Sequence, residues 1–232
     1  MRDPRHAGIV RVMVTTLVVA DEVASNLQLS TLRDIDPGLV LCAGDLPWDY
    51  LEWIASSVDR PVVFVPGNHD PEVTSERDRA WSLDQSWTEG PRPQGVIHAD
   101  QRVVEAAGLR IAGLGGCVKY RSGPHQYTQR QYAGRANRLV RRARRRGPVD
   151  VVLTHAPPLG LGDMGDGPHV GIEALHGVIA RLEPTWLLHG HVHPFGQDMP
   201  DRQVGRTTIR NVIPWRVIDI TARSGAIETR TA

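Results

Sequence analysis

Six short apolar runs set the frame of this chain: "VMVTTLVVA" (12 to 20), "LVLCAG" (39 to 44), "PVVFVPG" (61 to 67), "LRIAGLGG" (109 to 116), "VDVVLT" (149 to 154) and "TWLLHG" (185 to 190). They are apolar without alternation, so they predict strands buried on both faces, which requires helices packed over a sheet. Segments with helical spacing lie between several of them, roughly at 24 to 35, 47 to 58, 127 to 146 and 170 to 182. The alternation predicts an α/β fold with a largely parallel core. "QRVVEAAGLRIAG" reads as a hairpin turning near Ala107 and Gly108, and "TTIRNVIPWRVIDITARSGAIETR" offers closing strands of antiparallel character. The sheets are therefore expected to be mixed.

A length of 232 residues suits one domain spanning 1–232, and residues 71 to 95, with Pro71, Pro91 and Pro93, read as a loop or short helical excursion within it. The opening "MRDPRHAGIVRVMVTTLVVADEVA" imitates a secretory leader. Arg11 interrupts it, however, and the β-branched run flows straight into acidic residues, so a buried first strand fits better. No run approaches the roughly 18 apolar residues of a membrane span. Cys42 and Cys117 stand far apart in apolar surroundings, which predicts two buried thiols in a reducing, cytoplasmic compartment. A net charge of +1 gives no global attraction for nucleic acid or an anionic membrane.

Ligands of open α/β sheets bind beyond the carboxyl ends of the strands, so the residue after each run is the informative one. The runs deliver Asp21, Asp45, the "GNHD" of Asn68, His69 and Asp70, then His155, and finally His191 and His193. An aspartate after a strand is ordinarily a cap or turn residue, and a lone histidine there is ordinarily structural. Five run ends converging on one edge are explained together by a metal site. Imidazole, carboxylate and amide oxygen without thiolate suit one or two divalent ions of Mn, Fe, Zn or Ni, and the histidines disfavour calcium. A bridging carboxylate such as Asp45 would allow the paired-ion spacing used in phosphoryl displacement, so phosphate ester hydrolysis is the expected reaction.

With these residues in view, the sequence resembles the calcineurin-like metallophosphoesterases. The resemblance is carried by "AD" at Asp21, "GD" at Asp45, "GNHD" at 67 to 70, "THAPP" at 154 to 158 and "GHVH" at 190 to 193. It implies a sandwich of two mixed β-sheets flanked by helices, with Asp45 bridging and with Asn68, His155 and His191 completing one ion's shell. Asp21, Asp45 and His193 would hold the other ion. The resemblance further implies a metal-bound hydroxide as nucleophile, with His69 stabilising or protonating the leaving oxygen and Asn68 holding the phosphate. His189 matches no ligand position and reads as a packed structural histidine.

One departure stands out. The family's first motif is Asp-x-His, and here it is Asp21-Glu22-Val23. A valine cannot ligate, so the first ion loses a contact. Water or a nearby side chain could fill the gap, Glu22 could swing in against the tendency of strand neighbours to point apart, or the first position could stay empty. The expectation is a working site with a weakened first position, and a phosphoesterase for which diesters are slightly favoured. Its rival is a catalytically weak or inactive binding or scaffold module.

Three further stretches invite a story. "GLGDMG" (160 to 165) matches G-x-G-x-x-G but lacks the strand-to-helix setting of a dinucleotide site, and it reads as a loop beside the centre from which Asp163 or Asp166 could touch substrate. "KYRSGPHQYTQRQY" (119 to 132) follows a strand end, and Arg121 is its best candidate for a substrate phosphate contact. "RLVRRARRRG" (138 to 147) reads first as a solvated face whose cations complement a helix C-terminus, with a nucleic-acid site as the sharper alternative. Native metal, substrate and oligomeric state stay open at this level.

Overall fold

The computed structural model describes residues 12–73, 93–197 and 199–223. Residues 74–92 of the 71 to 95 segment, the leader-like 1–11 and the end of the closing stretch at 224–230 lie outside the described residues. In chain order the strands are β1 (Met13–Val19), β2 (Leu39–Cys42), β3 (Val62–Phe64), β4 (Ile97–His98), β5 (Val103–Ala106), β6 (Leu109–Leu114), β7 (Cys117–Val118), β8 (Gln126–Tyr127), β9 (Val151–Thr154), β10 (Trp186–His189), β11 (Arg202–Val204), β12 (Thr207–Asn211) and β13 (Trp215–Thr221). The helices are α1 (Leu29–Ile35), α2 (Trp48–Val58), α3 (Gln129–Arg144) and α4 (Ala174–Leu182).

Two large mixed sheets stack on one another. One runs β13-β1-β2-β3-β4 and the other β11-β12-β10-β9-β6-β5, with β7 and β8 forming a small separate pair. The six apolar runs are all strands, and the packing explains why they do not alternate. Val18, Leu39, Leu41, Val151, Leu153 and Leu188 fill the space between the sheets. Their chain neighbours Leu17, Val19, Val40 and Cys42 lie with Leu32, Leu51 and Ile54 of α1 and α2. On the opposite side Val152 and Leu187 lie with Leu139 of α3 and Leu175 and Val178 of α4. Each strand thus removes both faces from water, which stabilises the stack by roughly 25 cal/mol per Å² of apolar surface.

The sequence signals for the turns hold as well. Ala107 and Gly108 both take positive φ, 50° and 78°, the two-residue turn whose twist suits a hairpin between β5 and β6. Thr128 and Gln131 form a reciprocal capping box that starts α3. One detail differs. Helix α1 begins at Leu29 and not near 24, because a turn from Ala24 to Leu27 and the Asn26 carbonyl, bonded to the Thr31 hydroxyl at 2.9 Å, occupy the preceding residues. The closing stretch forms strands of antiparallel character, as expected, divided between the two sheets. β12 joins the second sheet, parallel to β10 and antiparallel to β11, whereas β13 crosses to the first sheet, antiparallel to β1.

Candidate metal centre

Parallel pairing of β1 with β2, β2 with β3 and β9 with β10 brings their carboxyl ends to one edge of the stack. There the backbone turns abruptly. Asp21, Asp45 and His191 each follow a strand with φ of 62°, 56° and 67°, left-handed values that are costly for residues bearing a Cβ. Asp36, Asp59 and Glu183 share that conformation but sit at helix C-termini, where it is routine. Glycines permit the close approach of these turns. A Cβ at Gly67 would lie 2.0 Å from Asp45 Oδ1, and one at Gly190 would lie 2.0 Å from Asp21 Oδ2. Asp70 ties two strand ends together, its Oδ2 accepting from the backbone N–H of Asp45 at 3.0 Å and of Gly67 at 2.7 Å.

At the middle of the edge Asp45, His155 and His191 bring one ligand atom each within 4.8 Å of one another. Asn68 joins them, with Oδ1 3.0 Å from His155 Nε2, which also lies 3.3 Å from Asp45 Oδ2. The far ring nitrogens are spoken for: His155 Nδ1 donates to the Ala43 carbonyl at 2.8 Å, and His191 Nε2 donates to the Pro168 carbonyl at 2.9 Å. Such backbone partners fix ring orientation and leave His155 Nε2 and His191 Nδ1 to ligate. Two imidazoles, a carboxylate and an amide oxygen fit a first-row divalent ion.

The electrostatics describe a site built for positive charge. Burial pushes the Asp21 carboxyl up to about 6. Burial also opposes ionisation of both members of the Asp45–His155 pair, but their mutual attraction outweighs it, holding Asp45 at about 2 and His155 at about 9. Burial, followed by the charge on His155, pushes His191 down to about 3. A proton on His155 therefore sits where a cation's charge would be useful.

The first position is assembled differently. His193 Nε2 lies 3.9 Å from Asp21 Oδ1, and both Asp21 oxygens accept the His191 N–H, at 3.1 and 3.0 Å. Val23 is 55% exposed and supplies nothing. Glu22, expected to point away, instead accepts from His193 Nδ1 at 2.9 Å. The alternation argument fails because the chain leaves the extended conformation at Asp21. Glu22 is thus a carboxylate partner of a histidine whose other nitrogen faces Asp21, the arrangement that orients metal-binding histidines.

Around this core, the His69 N–H donates to Asp45 Oδ1 at 2.7 Å, and Arg121 Nη2 lies 3.4 Å from His69 Nδ1. A guanidinium only donates, so His69 Nδ1 is the accepting nitrogen and Nε2 carries the proton. Tyr120, which neighbours Arg121 in the 119 to 132 stretch, accepts from Asn68 Nδ2 at 3.2 Å. Asp163 and Asp166, weighed as substrate contacts, are committed within their own loop. Asp163 accepts from the N–H of Gly160 and Gly171, and Asp166 holds His169 at 2.9 Å. That loop still borders the centre through the Pro168 carbonyl and the His169 ring, 5.4 Å from His191. His189 is buried, with Nδ1 3.0 Å from the Gly190 carbonyl.

Comparison with known proteins agrees with the fold. The family model described as calcineurin-like phosphoesterase matches residues 20–195. A stretch of 47 residues is 49% identical to the UPF0046 protein T07D4.2 of Caenorhabditis elegans, covering 19% of this chain and 12% of that protein's length. The fold is similar to that of TT1561 of Thermus thermophilus, with a TM-score of 0.55, 14% identity, and 85% and 88% of the two chains covered. A further solved structure superposes with a TM-score of 0.65 at 13% identity over 90% of this chain and 95% of its own. Among the described residues no helix is long and apolar enough to cross a membrane.

Proposed function

The chain belongs to the calcineurin-like phosphoesterase family, and from that premise we propose that it hydrolyses a phosphate ester, diesters ahead of monoesters, in a metal-dependent reaction. The observation that carries this reading is the convergence of Asp45, His155, His191 and Asn68 from four strand ends. Asp45, Asn68, His155 and His191 would hold one ion of Mn, Fe, Zn or Ni, and Asp21, Asp45 and His193 a second. Bound there, divalent ions would supply Lewis-acid polarisation of phosphoryl oxygens and activation of water.

The chain's own groups divide the remaining work. Asn68, steadied by Tyr120, offers an amide beside the ligand nitrogen of His155. His69, its Nδ1 facing Arg121, presents an Nε2–H that can hydrogen-bond to and stabilise a departing alkoxide. Arg121 orients that ring and adds a positive charge where a second phosphate oxygen would sit.

The second reading, a binding module with little or no catalysis, is favoured by exposed Val23 at the ligand position of the first ion. Purified protein, stripped by chelation and resupplied with Mn²⁺, is to be assayed on a chromogenic phosphodiester and its monoester, alongside Val23→His. The phosphoesterase reading expects turnover in the parent chain and a several-fold gain in the variant. Activity that arises only on restoring the histidine would establish the module reading.

A further inference from the structure

Residues 106 to 149 contain eleven Lys and Arg and no Asp or Glu, in a chain whose net charge is +1, so the remaining residues carry −10 between them. This segment includes α3, and the structure separates its arginines into two rows. Arg135, Arg138, Arg142 and Arg146 lie along the turn between β4 and β5. Arg135 makes a bidentate contact with Asp100 at 2.7 and 2.8 Å, and the other three donate to Gln101 Oε1, the Gln101 carbonyl and the Val103 carbonyl. Only the first of these bonds neutralises a charge. The neutral acceptors of the other three fix the guanidinium stems and leave the positive charge intact.

The second row has no task inside the fold. The side chains of Arg130, Arg141, Arg144 and Arg145 have no hydrogen-bond or ion-pair partner among the described residues. At 3.6 residues per turn, Arg130, Arg141, Arg145 and Arg138 fall within an arc of about 80°, a stripe along a helix about 24 Å long. Gly134 lies on the same arc and opens a cleft of about 420 Å³ between Arg130 and Arg138, bordered by Tyr127 and Arg135. At the near end of α3, the Gln126 side-chain oxygen accepts the backbone N–H of Arg121 at 3.2 Å, and Arg121 meets His69. The basic stripe thus leads toward the candidate centre.

We propose that this stripe binds a nucleic acid through its phosphates. Three observations select that partner. Ten of the eleven cations are arginine, whose planar fork pairs with phosphate oxygens two at a time. None of the exposed large apolar residues, Met13, Val23, Leu29, Ile97, Met164, Phe195 and Val217, lies in the segment, so the surface lacks the apolar centre of a protein interface and the apolar face of a membrane-seeking helix. The stripe also approaches a centre suited to phosphodiesters. Binding through it does not depend on hydrolysis.

The test is fluorescence anisotropy of labelled 12-nucleotide RNA and DNA strands with the full chain, in EDTA so that hydrolysis plays no part, across a salt series. About four phosphate contacts predict that log K falls with log salt at a slope near −3. The Arg130→Gln/Arg141→Gln/Arg145→Gln variant, which removes three residues of the stripe and touches no contact within the fold, is expected to weaken binding at least about tenfold at low salt and to flatten the slope by about 2, at roughly 0.7 per lost contact. Arg33→Gln/Arg202→Gln, removing charge elsewhere, should leave binding unchanged. The proposal is overturned by absence of binding at low salt, by equal loss in the two variants, or by equally tight binding of poly-glutamate or phosphatidylserine vesicles. Failure of the phosphoesterase reading would leave these measurements unaffected.

Discussion

At the scale of single residues, the centre is a set of side chains whose free forms already anticipate a cation. His155 carries a proton up to about pH 9 because Asp45 outweighs the burial that opposes it. A ligand nitrogen must be bare, so metal binding at pH 7 is expected to release close to one proton from His155, declining toward none above pH 9. Calorimetry in buffers of different ionisation enthalpy reads that number directly, and zero release at pH 7 would contradict the assignment of His155. His69 yields a second expectation. If it protonates the leaving oxygen, His69→Asn should cost about 10²–10⁴-fold in turnover for an alkyl leaving group and far less for a nitrophenolate, which departs without a proton. Equal losses on both substrates would remove the proton-donor role. The sequence made Asp21, Asp45, Asn68, His155, His191 and His193 visible because each follows an apolar run. Glu22 was weighed only as a side chain that could swing in toward the metal, and its place beside His193 was not legible because it depends on a left-handed turn at Asp21; the Ala43 and Pro168 carbonyls escaped because backbone groups leave no trace in residue identity.

The elements hold these side chains through tight strand-end turns and through one clamp on α3. Gly190→Ala would press a Cβ to 2.0 Å from Asp21 Oδ2 and 2.7 Å from Ala20 Cβ, so destabilisation of about 1–3 kcal/mol is expected together with weaker metal binding. Gly165→Ala, with nothing within 4 Å, should melt like the parent chain, and the two melting curves form a matched pair. Asp100 anchors α3 by accepting from Arg135, and its Oδ1 also accepts the Gly115 N–H at 2.8 Å. Both side chains of the pair are nearly buried, so Asp100→Ala should cost about 3–5 kcal/mol in urea unfolding. Strand and helix identities were legible from run length and spacing, since these record which faces are buried. The partners of β12 and β13 were not, because a sequence that alternates along each strand does not say which sheet the strand will join.

For the whole molecule, a packed double sheet brings titratable groups into surroundings that water would not give them. His98 stacks on Phe64 at 5.0 Å, with a buried Nε2 that has no hydrogen-bond partner among the described residues, and burial pushes it down to about 4. Its folded pKa lies below the unfolded value near 6.5, so its contribution is fully present above pH 6.5 and is lost as pH falls toward 4, by up to about 1.4 kcal/mol per unit. His98→Phe should therefore lose less stability than the parent between pH 7 and 4.5 in urea titrations, while His189, also pushed down to about 4 by burial, contributes equally to both. Parallel pH profiles would exclude His98 as the cause. The central claim is that the strand-end donors of one sheet stack hold a divalent ion and thereby hydrolyse phosphate esters. Its most direct test is turnover of a chromogenic phosphodiester by chelator-stripped protein as Mn²⁺ is added, with bound metal counted in the same samples, for the parent and for Asp45→Asn. We expect no turnover without metal, a rise that follows the ions bound per chain, and loss of both binding and turnover in Asp45→Asn. Turnover by the stripped protein, or undiminished binding and activity in Asp45→Asn, would contradict the claim.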